Sequence, residues 1–346
     1  MTVLSPPTAR GKTHFRWFRA SLEQHLHTLI PEWKGAPLTI TSRDLGSNAS
    51  FVNYVRYHRL IDPATGEPMD VVEKSIRKLA FIGSQEARFH RHDGILKGTI
   101  YFRYPPCLGV IETPWESLIF TRYVRGRPPR MEAIGFHLAR GITELETRSH
   151  DYLQARLSSK NLLLWSMDFF QPWFMLRPRF NFARCLPELE RLALEDCRFT
   201  GIAEHLRGFK PLLRDLARMA QQSPKCISHM DYLRKNLFIR KRRLYLIDWS
   251  EVKIGRVGFD GGAYLGSLFR RKEMPAFLVA QAQFNKTYRE TLPLHFDQED
   301  ALRNQRYIFL LTALYHCLRA ETIQEYKEQG RLAVLLEKYR YLLTML

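Results

Sequence analysis

The sequence predicts an α+β protein of two lobes, a small lobe built on an antiparallel sheet followed by a larger helical lobe. Three observations predict it. Strand-like alternation is concentrated between residues 38 and 125. Helical periodicity dominates from about Met131 onward. One compact strand-rich stretch, Cys226–Asp248, interrupts that helical half. The chain therefore divides into an N-terminal extension with an amphipathic helix (1–37), an N-lobe (38–125) and a C-lobe (126–346).

The elements follow in order. Phe15, Phe18, Leu22, Leu26 and Leu29 recur at helical spacing with Arg16, Arg19 and Glu23 off that face, which predicts a helix over 15–29. Packing onto the body is its expected use, and lying on a membrane surface is the competing one. Leu38–Arg43 reads as a strand, and Asp44–Ala49 as a turn-forming run. Ser50–Leu60 alternates faces, Asp62-Pro63-Ala64-Thr65-Gly66 turns, and Val71–Leu79 returns. A helix over 84–96 and a strand over 117–124 complete the lobe. In the second half, Leu237-Phe238-Ile239 and Leu244-Tyr245-Leu246-Ile247 flank the charged run Arg240–Arg243, a hairpin with a solvated turn. Residues 275–290 and 299–319 read as long helices.

At 346 residues, 45% apolar and 12% aromatic, the chain has material for a substantial core. Its five cysteines are scattered and include no C-x-x-C pair, which argues against a disulfide framework or zinc site and favours a reducing cytoplasm. Met1–Lys12 lacks an apolar run of signal-peptide length. Asn161–Leu176 is broken by Asp168, Gln171 and Pro172, too short and polar to span a bilayer, so a soluble protein is expected. The formal charge of +18 attracts polyanions, whether nucleic acid, anionic lipid or acidic glycan, or else marks an Arg-rich solvated surface. No nucleic-acid recognition motif is present, so nucleic acid is not an expected partner. Peripheral contact with an anionic membrane or glycolipid stays open.

Phosphoryl transfer needs a carboxylate to orient the attacking hydroxyl, oxygen ligands for Mg²⁺, a cation on the phosphates and a loop covering them. His229-Met230-Asp231, then Asn236, then Asp248-Trp249 supply the first two in order. Asn236 and Asp248 are hard oxygen donors of the kind Mg²⁺ takes, which leaves Asp231 to act as base.

The pattern His229-x-Asp231-x-x-x-x-Asn236, followed by Ile247-Asp248-Trp249, Gly255 and Asp260, resembles the aminoglycoside phosphotransferase and choline kinase superfamily. The resemblance implies a bilobal protein-kinase-like fold and an ATP- and Mg²⁺-dependent phosphotransferase, with the nucleotide and a small-molecule or sugar acceptor as partners. It implies catalytic roles for Asp231 and for His229 (which braces its loop), and metal ligation by Asn236 and Asp248. Lys74 resembles the strand lysine on the nucleotide phosphates and Glu86 the helix glutamate that holds it. Gly46, Ser47 and Asn48 resemble the phosphate-covering loop, and Leu118–Gly126, with Tyr123 and Val124 at its centre, the hinge whose backbone binds adenine. The likeness runs collinearly over residues 38–265.

Departures from the family are Arg122 at an often acidic hinge position, Ile142–Thr147 lacking a Leu-His helix end, and Tyr232-Leu233-Arg234-Lys235 in place of a His-Pro-Gly loop. Arg234 and Lys235 contact either the phosphate or anionic substrate, or project to solvent. Met230 and Asp248-Trp249-Ser250 stand where a protein kinase carries Arg and Asp-Phe-Gly, so a small-molecule kinase is the expectation. From Arg122 to Arg184 eleven Arg/Lys face five Asp/Glu, which favours an anionic or glycan acceptor over a polycation. The acidic stretch Glu188, Glu190, Glu195, Asp196 and Glu204 keeps a cationic acceptor, an aminoglycoside or amino alcohol, in play. A kinase fold without catalysis, serving as a scaffold, is the reading from another class.

Overall fold

The computed structural model describes residues 13–17, 20–46, 51–78, 84–90, 93–96, 98–155, 167–240, 243–317 and 319–346. The chain forms two compact units: Met1–Gly98, Phe102–Arg127 and Phe238–Glu251 in the first, Thr99–Tyr101, Pro128–Leu237 and Val252–Leu346 in the second. The hairpin that ends at Asp248 thus groups with the N-terminal residues.

The first unit is built on a six-stranded sheet of β1 (Thr13–Phe15), β2 (Ile40–Asp44), β3 (Val52–Ile61), β4 (Pro68–Arg77), β6 (Cys107–Glu112) and β7 (Glu116–Arg122), in the order β1-β6-β7-β4-β3-β2. β5 (Phe102–Arg103) pairs instead with β10 (Arg243–Leu246), which pairs with β9 (Leu237–Arg240). The β3–β4 hairpin and the β4–β7 pairing are antiparallel, with Lys74 opposite Ile119 and Glu73 opposite Phe120. Successive strand residues face opposite sides, so these pairs belong to two different faces. On one face α1 (Leu22–Leu29) sets Leu26 and Leu29, with Trp33, against Val71, Leu118 and Phe120. On the other, Ala87 of α2 (Gln85–His90) packs with Ile76, Val110 and Ile119.

Three expectations need correction. The helix expected over 15–29 starts at Leu22, because Ser21 and Gln24 close a capping box: the Gln24 N–H donates to Ser21 Oγ at 3.2 Å and the Ser21 N–H to Gln24 Oε1 at 3.0 Å. Upstream, Thr13–Phe15 is strand β1, paired parallel with β6, so the sheet is not wholly antiparallel. Of the helix expected over 84–96, the described residues show α2 at Gln85–His90 and a 3₁₀ turn, not α-helix, at Asp93–Leu96.

The second unit contains α3 (Gly135–Gln154), α4 (Pro172–Glu195), α5 (Ile202–Arg207), α6 (Phe209–Gln222), α7 (Phe259–Arg271), α8 (Met274–Thr291), α9 (Gln298–Cys317), α10 (Ala320–Glu328) and α11 (Leu332–Leu343). A two-stranded antiparallel ribbon, β8 (Lys225–Ser228) with β11 (Lys253–Arg256), lies among them. α8 and α9 are the long helices expected from periodicity. α7 lies very close to α9: a Cβ added at Gly262 would come 2.4 Å from the Gln305 carbonyl oxygen and 2.8 Å from Ile308 Cβ. Buried rings of Phe259, Tyr264, Phe269, Phe277, Phe284 and Tyr288 fill the core around these helices. Among the described residues no helix is long and apolar enough to cross a membrane.

Candidate active site

In the first unit, β4 carries Lys74 on the α2 face. Its ammonium lies 2.6 Å from Glu86 Oε2 and 2.5 Å from Asp248 Oδ1. Burial alone would push the Lys74 pKa down, but the two carboxylates more than offset it and the net shift is upward. Burial raises the Glu86 pKa, with Lys74 opposing it. The second Glu86 oxygen accepts the Trp249 backbone N–H at 3.3 Å, and Trp249 stacks on Phe89 with centroids 4.1 Å apart and planes 15° off parallel. Helix α2 is thereby tied to the segment after β10 by a ring pair and by its glutamate. Asp248 itself has φ 62°, a left-handed conformation that a non-glycine residue holds only when its surroundings demand it.

Gly46 has φ 72° and is exposed at the end of β2. Ser47 and Asn48 lie outside the described residues. After β7, Tyr123 and Val124 belong to no helix or strand. The Tyr123 N–H donates to the Asp70 carbonyl at 2.9 Å, and its ring meets Tyr57 edge-on at 5.1 Å.

In the second unit, β8 delivers His229, Met230 and Asp231 into a turn held by one carboxylate. Asp260, at the start of α7, accepts the His229 N–H at 3.0 Å and the Met230 N–H at 2.9 Å, while Met230 sits at φ 65°. Asp260 is fully buried. Burial pushes its pKa up to about 6, against the two backbone donors that favour its charged form. His229 is buried, and its Nδ1 accepts the Asp231 N–H at 3.3 Å, so the imidazole braces the turn. Asn236 Nδ2 donates to Asp231 Oδ2 at 2.8 Å and to the Asp231 carbonyl at 3.1 Å. With the amide nitrogen so committed, Asn236 offers its carbonyl oxygen to any further partner.

Beneath this turn lies a group that sequence reasoning missed. Glu146 of α3, with no exposed surface, accepts the Gly258 N–H at 2.8 Å and the Tyr288 hydroxyl at 2.7 Å. Gly258 precedes α7 at φ 98°, and a Cβ there would meet the Ala301 carbonyl oxygen at 2.1 Å. Burial pushes the Glu146 pKa up to about 8. The signal available was a charged residue on the apolar face of a helix, just after Leu145.

The structure thus brings Lys74, Glu86 and Asp248 together in the first unit, and His229, Asp231, Asn236 and Asp260 together in the second. Residues 123–294 match the family described as "Phosphotransferase enzyme family". Among solved structures, a choline kinase from Cryptosporidium parvum Iowa II is similar at 12% identity and TM-score 0.55, covering 93% of this chain and 96% of that one. An amicoumacin kinase is similar at 10% identity and TM-score 0.53, covering 87% of this chain and 88% of that one. Among curated proteins none matches the sequence.

Proposed function

We infer that the chain, whose residues 123–294 match the phosphotransferase enzyme family, is a member of the aminoglycoside phosphotransferase and choline kinase superfamily and moves the γ-phosphoryl group of ATP onto a hydroxyl of a small molecule. The observation that carries this reading is the Lys74 ammonium held between Glu86 and Asp248: a half-buried cation, fixed by a helix carboxylate, on a strand that would line the nucleotide phosphates. Asp231 is assigned to orient the acceptor hydroxyl and take its proton. His229 and Asp260 hold the loop that carries it. Gly46, Ser47 and Asn48 are assigned to the phosphate-covering loop. Because the Tyr123 N–H is spent on Asp70, adenine recognition falls to the Tyr123 carbonyl and the Val124 backbone.

The donor set suits Mg²⁺, which takes one or two protein oxygens and completes its shell with phosphates and water. Asn236 has its nitrogen committed to Asp231 and presents an amide oxygen, and Asp248 is a carboxylate. When bound, the ion would neutralise charge developing on the transferring phosphoryl group. The amicoumacin kinase forms a complex with AMP-PNP and Ca²⁺, which supports a nucleotide with a divalent cation in this fold.

For the acceptor, the charge balance between Arg122 and Arg184 supports an anion, such as a phosphosugar, an acidic sugar or a glycan core. Four of its five acidic side chains already have internal partners. Glu132 pairs with Lys272 at 2.9 Å, and Asp168 with Arg256 at 3.4 Å and Lys225 at 3.6 Å. Glu144 accepts the Ile100 and Tyr101 N–H groups, and Glu146 serves Gly258 and Tyr288. Four of the five members of the acidic stretch that kept a cation in play are likewise paired: Glu188 with Arg191, Glu190 with Arg207, Glu195 with Lys327 and Asp196 with Arg198. Little carboxylate is left to cage an ammonium. A mass-shift screen of ATP against sugar phosphates, sugar acids, free sugars, choline and aminoglycosides tests this. A phosphorylated sugar phosphate or sugar acid is the expected product. Higher kcat/KM on choline or an aminoglycoside would overturn the acceptor assignment.

A further inference from the structure

We propose that a cavity on the α1-covered face of the six-stranded sheet is a binding site for a small, uncharged, polyhydroxylated molecule of monosaccharide size. It belongs wholly to the first unit and lies on the sheet face opposite the one Lys74 uses.

The cavity measures about 210 Å³, and its polar wall comprises His25, Ser42, Tyr54, Arg56, His58 and Glu73. Leu22 and Leu118 add an apolar side. Most of this wall is fixed. Ser42 Oγ bonds His58 Nδ1 at 2.7 Å, His58 Nε2 bonds Glu73 Oε2 at 3.0 Å, and the Tyr54 hydroxyl donates to Glu73 Oε1 at 2.9 Å. His58 and Glu73 are 2% and 4% exposed, so the chain of bonds is rigid and preformed. Arg56 lies over the Tyr54 ring at 4.2 Å, its Nε held by Asp44.

The group this network leaves over is His25. It is 2% exposed, yet its Nδ1 has no partner in the protein. The ring lies tilted near Phe120, with centroids 6.1 Å apart, which supplies no hydrogen bond to Nδ1. A buried polar atom without a partner costs free energy unless a ligand or water meets it.

The chemistry of the wall selects the ligand. Ser42 and Glu73 offer acceptor lone pairs, Arg56 offers donors at the rim, and the unpartnered His25 Nδ1 donates or accepts according to its tautomer. The charged groups of the wall are already engaged, Arg56 by Asp44 and Glu73 by Tyr54 and His58, so neither a net anion nor a net cation finds a free counter-charge on entering. Hydroxyl groups both donate and accept, and several of them on a small frame match this alternation. Glu73 precedes Lys74 on β4, so occupancy would bear on the strand that carries the phosphate-binding ammonium.

The test uses the full chain labelled with ¹⁵N-histidine, titrated with glucose or myo-inositol, with choline and glucose 6-phosphate as charged controls. The expected result is a saturable shift of the His25 Nδ1 resonance with a neutral polyol, undiminished by a non-hydrolysable ATP analogue. Affinity should weaken at least about tenfold in Ser42→Phe, which fills the cavity. Leu22→Trp, filling it from the helix side, serves if Ser42→Phe does not fold. A silent His25 with both polyols means the cavity holds water only and overturns the proposal. So does an equal response to choline or glucose 6-phosphate, or a response that survives the filled cavity. Because phosphotransfer is read separately by product mass, failure here leaves the catalytic reading standing.

Discussion

Lys74 is a cation whose pKa burial pushes down and the carboxylates of Glu86 and Asp248 push up by more. Removing either should therefore lower its pKa as well as loosen its position. Asp248→Ala removes a Lys74 partner and an assigned metal ligand together. Nucleotide affinity in the presence of Mg²⁺ should fall about tenfold or more, toward the value measured in EDTA, which calorimetry with AMP-PNP reads. Glu146 supplies a pH prediction. Its folded pKa, about 8, stands above the ordinary 4.5, so the folded chain holds a proton that the unfolded chain has released between those values. Stability should then be fullest below pH 4.5 on this account, and fall by about 1.4 kcal/mol per pH unit as pH rises toward 8. Glu146→Gln lacks that titration. Urea midpoints from pH 6 to pH 9 should show the wild type losing stability relative to the Gln variant, and parallel curves would contradict the assignment.

At the scale of elements, α7 ties chemistry to packing. Its first turn supplies Asp260 to the His229–Asp231 loop, and Gly262, two residues on, sits against the backbone of α9. Gly262→Ala should cost about 1–3 kcal/mol by overpacking and lower kcat as well, since the helix end carrying Asp260 must shift. Thermal melts and steady-state rates check both. The parts legible in the sequence were those with local signals. The spacing from His229 to Asn236, the β9–β10 hairpin and the pair Lys74 and Glu86 each announce themselves over a few residues. β6 did not, because Pro105-Pro106 and Gly109 dilute its strand pattern. β1 is three residues long and owes its extended form to a distant partner, which no local pattern encodes. The N-terminal helix kept its apolar periodicity on paper back to Phe15, but the Ser21 cap decides where it begins. Glu146 was hidden for a related reason: its meaning lies in Gly258 and Tyr288, more than a hundred residues away.

At the scale of the whole molecule, the charge of +18 sets the long-range field. An anionic acceptor should be drawn in by it, and the attraction is screened over about 10 Å at 0.1 M salt. Hence kcat/KM for a sugar phosphate or sugar acid should fall as ionic strength rises, while that for any neutral acceptor stays level; stopped-time assays over a salt series read the difference. Transfer of phosphate from ATP to a hydroxyl, with Asp231 as the proton acceptor, is the proposed chemistry. The most direct test compares the wild type with Asp231→Ala on the best acceptor from the screen, following product mass and AMP-PNP affinity together. Turnover should fall about 10²–10⁴-fold with nucleotide affinity retained. Undiminished turnover in Asp231→Ala would contradict it.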